Sequence, residues 1–362
     1  MGLLFLREML FVGPYRALEP APAGILDLHV HAAGIGAGDS GCRIAPALRQ
    51  SYKFGIYLKA FGTSLAELEA KGDAVVIERL AALVGASTNV QAAVVLALDG
   101  VIDGNGALDP VRTEIQVPNA FVAREVARHP RLRFGASVNP HRTNALELLD
   151  TVAAQGAVLV KWIPSVMDID PADPRFEPFY RRLVRHGLPL LSHAGRERSF
   201  TWSRDELADP DRLRLPLSLG VTVIAAHVAA GGENGGERDF ERLARLMREF
   251  PNLYADVSAL TQVNRLGWLR EALARPEMAG RLVYGSDFPL MNTALVSPWY
   301  YPLNLTRAQM TELEAIGNPW DRDVRLKEAL GVPAEVFTRG ASLLGRAARS
   351  GLVMPGFAGR DR

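Results

Sequence analysis

Five short apolar stretches of this chain end on residues that can bind a proton or a metal ion. They are ILDLHVH with His29 and His31, AVLVKW with Lys161, LPLLSH with His193, VTVIAAH with His227, and RLVYGSD with Asp287. In an extended strand, residues two apart face the same way, so His29 and His31 project to one side and can grip a single ion. Parallel strands closed into a barrel bring their C-terminal ends to one mouth, where such folds hold their chemistry. Six potential ligands from five separated segments are therefore expected in one site. Packing alone explains them poorly, because each buried polar group would need its own partner, whereas a bound divalent ion satisfies all of them together.

The rest of the chain supports that architecture. Apolar, β-type runs at 25–30, 91–98, 133–138, 157–162, 188–193, 221–227, 253–257 and 282–285 read as eight strands. Near-continuous apolarity is the mark of parallel strands covered on both faces. Between them lie helical patterns at 64–85, 119–129, 144–154, 177–186, 211–219, 238–250 and 268–275, and two or three further helices are expected within 306–349. Eight strands alternating with helices predict an α/β fold, a (β/α)8 TIM barrel with extra C-terminal helices, rather than an open sheet. The expected organisation is an irregular lead-in at 1–24 draped over the barrel bottom, one barrel domain at 25–349, and a frayed tail at 350–362. The glycine-rich stretch 32–62 has no clear periodicity and reads as a long loop gating the mouth.

With 41 basic and 40 acidic residues the formal charge is +1, which gives no field to attract nucleic acid or an anionic membrane. A small-molecule substrate is expected instead. The single cysteine, Cys42, excludes an intramolecular disulfide and points to a reducing compartment, with an ordinary loop thiol as its reading. The apolar opening MGLLFLREMLFVG is interrupted by Arg7 and Glu8 and falls short of the ~20 residues that span a bilayer, so a cytoplasmic location is expected. Nothing in the sequence fixes the oligomeric state, and a homo-oligomer is compatible with it.

The HxH pair after strand 1, histidines after strands 5 and 6 and the aspartate after strand 8 resemble, in that order, the signature of the amidohydrolase superfamily. GSDFP at 285–289 and the early HxH are similar to the amidohydrolase-2, aminocarboxymuconate semialdehyde decarboxylase-like branch of metal-dependent TIM-barrel hydrolases, over roughly residues 24–345. The resemblance implies a divalent metal, with zinc the expected ion. In a one-metal site it implies His29, His31, His193 and Asp287 as ligands, with His227 holding or deprotonating the water. Lys161 departs from the decarboxylases of this branch, and VKWIPS is similar to the lysine segment of dihydroorotases. There a carboxylated lysine bridges two ions, which here would place His29 and His31 on one and His193 and His227 on the other. An uncarboxylated Lys161 would instead be an ammonium for a substrate carboxylate or for Asp287.

A divalent ion lowers the pKa of water to about 7 and polarises a carbonyl, and Asp287 beside that water can take its proton and return it to the leaving group. Asp27, two residues before His29, is the expected hydrogen-bond partner of that ligand. Arg142 and Arg196 are expected as clamps for an anionic substrate and Trp162 as an apolar wall. His129, His141 and His186 read as ordinary core or surface residues. Two motifs are set aside: the GxGxxG match at 36–41 does not open a helix directly after a strand, and Asp103-Gly104-Asn105-Gly106 lacks the full calcium-loop register. The expected function is metal-dependent hydrolysis of a small amide, lactone or ester. The alternatives are non-oxidative, metal-dependent decarboxylation of an aromatic or muconate-type acid and, from another class, metal binding without catalysis.

Overall fold

The computed structural model describes residues 24–345. The expected lead-in, apart from Gly24, and the expected tail lie outside them. Eight parallel strands form one sheet in chain order: β1 (Ile25–His31), β2 (Val90–Leu96), β3 (Leu132–Ala136), β4 (Leu159–Trp162), β5 (Leu190–His193), β6 (Val223–Ala226), β7 (Leu253–Asp256) and β8 (Leu282–Val283). Each lies within a residue or two of its expected position. The sheet closes on itself past the end of the short β8. Val30 bridges Phe288 in parallel, the Asp287 N–H donates to the His29 carbonyl at 2.9 Å, and the His31 N–H donates to the Phe288 carbonyl at 2.9 Å.

Alternation along the strands sorts the side chains into two layers. Leu26, Leu28, Val94, Leu96, Leu159, Leu191, Ile224 and Val283 form an inner cluster, while Val95, Val160, Leu190, Val223 and Ala255 belong to the large outer core shared with the helices. β1 breaks the alternation with a register shift between Asp27 and Val30. This bulge re-aims side chains. Asp27, between the inward Leu26 and Leu28, points outward, so it is the expected hydrogen-bond partner of His29 at the backbone and not at the ring. Its carboxylate accepts the His29 and Ser286 backbone N–H groups, each at 3.0 Å, and the Trp320 indole N–H at 2.7 Å. It thus bolts the β1–β8 seam to the C-terminal helix Pro319–Ala329.

That helix, with Arg307–Glu314 and Ala334–Leu343, makes up the expected C-terminal helical layer. From it the buried Lys327 donates to Asp323 at 2.6 Å and to the Gly285 carbonyl at 3.1 Å, two residues before Asp287. Among the described residues no helix is long and apolar enough to cross a membrane.

Two sequence expectations need correction. The helix expected at 64–85 is two helices, Leu65–Lys71 and Ala74–Ala86, broken at Gly72. Gly72 has a φ of 87°, and a Cβ there would come within 3.2 Å of the Gly38 Cα. The break delivers Asp73 into the glycine-rich loop, where its carboxylate accepts the Ile35 and Gly36 N–H groups and the Ser40 hydroxyl. The GxGxxG segment is thus a cradle already filled by the protein's own anion. The stretch 32–62 is also less irregular than its composition suggests, since it contains helices Pro46–Arg49 and Tyr52–Ala60.

Cys42 is buried in this loop, and burial pushes its thiol up to about 12. It should be almost entirely protonated at pH 8 and inert to a thiol reagent in the folded protein. Asp73→Ala strands several buried donors, which should cost about 2–3 kcal/mol in urea unfolding and make Cys42 reactive under native conditions. A variant with wild-type stability and an unreactive Cys42 would show that Asp73 does not hold the loop.

Candidate metal centre

The six residues expected at the mouth lie at the strand ends as anticipated. His29 is buried, and its ring is fixed from behind: Nδ1 lies 2.8 Å from Asp256 Oδ2. A carboxylate only accepts, so the proton sits on Nδ1 and the Nε2 lone pair is left for the site. Nε2 lies 3.2 Å from His31 Nε2, 3.1 Å from Lys161 Nζ and 3.6 Å from Asp287 Oδ1. His31 Nε2 is 3.2 Å from the same Asp287 oxygen.

On the far side, the His227 ring is stacked on that of His29 with centroids 5.1 Å apart, and the His193 ring meets it edge-on at 5.2 Å. Ser258 Oγ, which donates to Asp256, lies 2.8 Å from His227 Nδ1, and the Ser258 carbonyl lies 3.2 Å from it. Those acceptors again put the proton on Nδ1 and free Nε2. One ligand atom each from His29, His227 and Asp287 falls within 4.8 Å of the other two.

The backbone is bent to achieve this. His227, Val228, Ala229 and Asp287 all have left-handed φ values, 57°, 50°, 54° and 63°. L-residues avoid that region at a cost of about 1 kcal/mol or more each, and such strain concentrates at functional sites. Here it is held by the His227 N–H donating to Asp256 at 2.8 Å and by the Asp287 N–H on the His29 carbonyl. Gly285 is required for the same reason of space. A Cβ there would lie 3.0 Å from His29 Cβ and 3.4 Å from Asp256 Cγ.

Electrostatics keep the nitrogens in the ligand state. Burial pushes His29, His193 and His227 below the ordinary histidine range, helped by Lys161 at His29 and by Arg265 at His227. Neutral imidazole is the form that binds metal. Burial would raise Asp287, but the His31 hydrogen bond, with the Arg265 guanidinium, outweighs it and holds the carboxyl well below the usual range. Burial brings the Lys161 amine down to about 8, against the opposing pull of Asp256 and Asp287. His193 Nε2 is buried with no hydrogen-bond partner among the described residues. An orphaned imidazole nitrogen beside neutral imidazoles and an ionised carboxylate is a donor set that fits a divalent ion.

The expected substrate contacts fare differently. Trp162 follows the inward Lys161, so alternation turns it outward, where it packs on Phe179 and Tyr180 and donates to the Val138 carbonyl at 2.8 Å. It is no wall of the mouth. Arg142 is committed to Asp99 through two hydrogen bonds of 2.7 and 2.6 Å, and Arg196 is exposed, 3.8 Å from Asp205.

Residues that sequence reasoning passed over take their place. Asp256 ends the run LYAD as the other site residues end theirs, so the same signal would have found it. Glu197 lies 3.5 Å from His193 Nδ1. The helix Tyr52–Ala60, which carries Tyr57, reaches the loops after β5 and β8: Lys53 donates to the Arg198 carbonyl at 3.1 Å and Asn292 to the Ala60 carbonyl at 2.9 Å. Arg265 follows β7 in the turn Val263–Arg265.

The family model for Amidohydrolase matches residues 27–318. This chain belongs to the amidohydrolase family. Among solved structures, this amidohydrolase is similar to an uncharacterized TIM-barrel protein from Bordetella bronchiseptica, at 17% identity and a TM-score of 0.50, covering 83% of this chain and 99% of that one. It is also similar to a Pseudomonas putida protein assigned as a 2-pyrone-4,6-dicarboxylic acid hydrolase, at 19% identity and a TM-score of 0.50, covering 91% and 97% of the two chains. At these identities the likeness shows the fold, a TIM barrel. No curated protein sequence matches it.

Two substitutions test the centre. His193→Ala removes the orphaned nitrogen and should leave a folded protein that has lost metal, so full metal occupancy in this variant would remove His193 from the ligand set. Asp256→Asn keeps the volume but not the charge that fixes the His29 tautomer, and should weaken metal affinity by about 10–100-fold in chelator competition with the circular dichroism unchanged.

Proposed function

We propose that this amidohydrolase is a metal-dependent hydrolase of a small amide, lactone or ester. His29, His31, Lys161, His193, His227 and Asp287 would hold one or two divalent ions, with zinc the expected metal. The observation that carries the reading is the place of Lys161. Its amine is buried 3.1 Å from His29 Nε2, and among the described residues no carboxylate lies in ion-pair reach of it. A cation at His29 Nε2 and an ammonium at the same lone pair exclude each other. Addition of carbon dioxide to Nζ, with loss of a proton, removes the conflict by making the lysine an anionic oxygen ligand. His29 and His31 would then hold one ion and His193 and His227 the other, with the Lys161 carbamate supplying anionic oxygen to the centre.

A divalent ion held here supplies an acidified water and a polarised carbonyl. The chain's own residues do the rest. Asp287, ionised and beside His31, takes a proton as the water oxygen bonds to the carbonyl carbon. It returns that proton to the nitrogen or oxygen that leaves as the C–N or C–O bond breaks. Asp256 and Ser258 keep the imidazoles in one tautomer throughout, and Tyr57 and its helix limit bulk water at the mouth.

Metal analysis after incubation with bicarbonate should give two ions per chain, falling to one in Lys161→Ala and partly recovering when propionate replaces the carbamate oxygens. One ion per chain in both proteins would overturn the bridged centre. Hydrolysis in 18O-water should label the acid product. Release of carbon dioxide without consumption of water would replace the hydrolase by the decarboxylase.

A further inference from the structure

Segment 197–202, which follows β5 and His193, is tied down by acceptors and donors outside itself. At its base the Asp205 carboxylate accepts both the Glu197 N–H at 3.2 Å and the Ser203 hydroxyl at 2.7 Å, closing the segment into a strap. Its far end is gripped by Glu114, whose carboxylate takes the Thr201 N–H at 2.9 Å, the Thr201 hydroxyl at 2.8 Å and the Trp202 N–H at 3.1 Å. Between the two, Lys53 of the helix Tyr52–Ala60 donates to the Arg198 carbonyl. Glu114 is buried and sits in a seam: its own carbonyl accepts the Ala45 N–H at 2.7 Å, and beside it Arg43–Ile44 pairs with Ile115–Gln116. The loops after β1, β2 and β5 therefore meet at this one residue.

What the strap delivers is Glu197. Its Oε1 is pinned by the Arg198 and Ser199 N–H groups at 2.7 and 2.6 Å, which leaves Oε2 to face His193 Nδ1, 3.5 Å away. Among the described residues no other carboxylate is in ion-pair reach of His193. Gly195 fixes where the strap departs, since its φ is 82° and a Cβ there would lie 2.8 Å from the Ala229 carbonyl oxygen. Asp256 and Ser258 hold the rings of His29 and His227 from the end of β7. The His193 ring takes its acceptor from a strap instead.

The consequence lies in the tautomer. A neutral imidazole offers a lone pair at one nitrogen only, and a carboxylate can only accept. Glu197 beside Nδ1 therefore keeps the proton there and leaves the buried, unpartnered Nε2 with its lone pair. At 3.5 Å the contact is longer than a full hydrogen bond, and an ion on Nε2 draws charge from the ring and makes Nδ1–H the stronger donor. With the strap lifted, the proton can sit on either nitrogen, and part of the population loses the ligand.

We infer that Glu197 is a positioning residue that sets the tautomer of His193, and that Glu114 governs how long the centre keeps its metal by holding the strap down. Glu114 does this at a distance, because its carboxylate bonds to Thr201 and Trp202 and to none of the six candidate ligands. Carboxylates that orient metal-binding histidines are worth about 10–100-fold in metal affinity, and here that contribution depends on a loop contact elsewhere. The second half of the inference rests on the metal-centred reading. The first half concerns the metal-free protein.

Nitrogen-15 NMR of the metal-free protein, at a pH where its imidazoles are neutral, reads the tautomer directly. His193, assigned with His193→Ala, should be protonated on Nδ1 in wild type. In Glu197→Gln the amide oxygen takes over the two strap N–H groups, so the amide N–H faces Nδ1 and the proton should move to Nε2. His29, held by Asp256, should keep its tautomer, which a general loosening of the fold would not allow. Loaded with zinc, Glu197→Gln and Glu114→Ala should each lose the ion to a chelator about tenfold faster than wild type, and Glu114→Gln, which keeps an oxygen for the strap, should stay near wild type. The double variant Glu114→Ala/Glu197→Gln should lose zinc no faster than Glu197→Gln, because both changes act through one contact. A His193 proton that stays on Nδ1 in Glu197→Gln overturns the positioning role. Wild-type zinc retention in Glu114→Ala, or effects that add in the double variant, overturns the control by the strap. Wild-type protein that binds no zinc defeats the metal reading and that control with it, while the tautomer comparison still decides the role of Glu197.

Discussion

Asp256 is a buried carboxylate whose two oxygens are used by three strand ends. Oδ2 holds the His29 ring, and Oδ1 takes the His227 backbone N–H at 2.8 Å together with the Ser258 N–H at 3.1 Å and its hydroxyl. The left-handed bend at His227, the tautomer of His29 and the position of the Ser258 hydroxyl against the His227 ring all rest on this one acceptor. Buried charges are tolerated when fully hydrogen-bonded, and a network so satisfied admits one arrangement. The geometry of the candidate ligands is therefore fixed by the protein itself.

The second constraint is the seam between β1 and β8. β8 is only two residues long, so closure depends on hydrogen bonds made beyond its end by Asp287 and Phe288 to β1. The same bonds place Asp287 beside His29 and His31. Closing the barrel and assembling the centre are thus one event, and the outward Asp27, with Trp320, stabilises both from behind.

Most of the architecture was legible because parallel strands buried on both faces leave an unmistakable apolar run, and six of the site residues follow from where those runs end. What was hidden has physical causes. The bulge in β1 cannot be read from composition, so the sequence did not tell that Asp27 would reach the His29 backbone while Asp256 held the ring. Trp162 was misplaced although strict alternation after Lys161 already turns it outward. The helices within 32–62 were masked by glycines whose purpose, at Gly36 and Gly38, is to wrap the backbone around Asp73. Arg142 looks like a free cation in sequence, and only the position of Asp99 shows its guanidinium to be taken.

The ammonium of Lys327 on the Gly285 carbonyl has a consequence for biosynthesis. A barrel of eight strands is complete in sequence at Val283, yet the loop that carries Asp287 is anchored by a helix that ends at Ala329. During translation the strands can begin to pair while that helix is still inside the ribosome. The candidate centre at Asp287 can reach its final geometry only after the helix has emerged and docked. Until then, any ion captured by the histidines would sit in an unfinished cage.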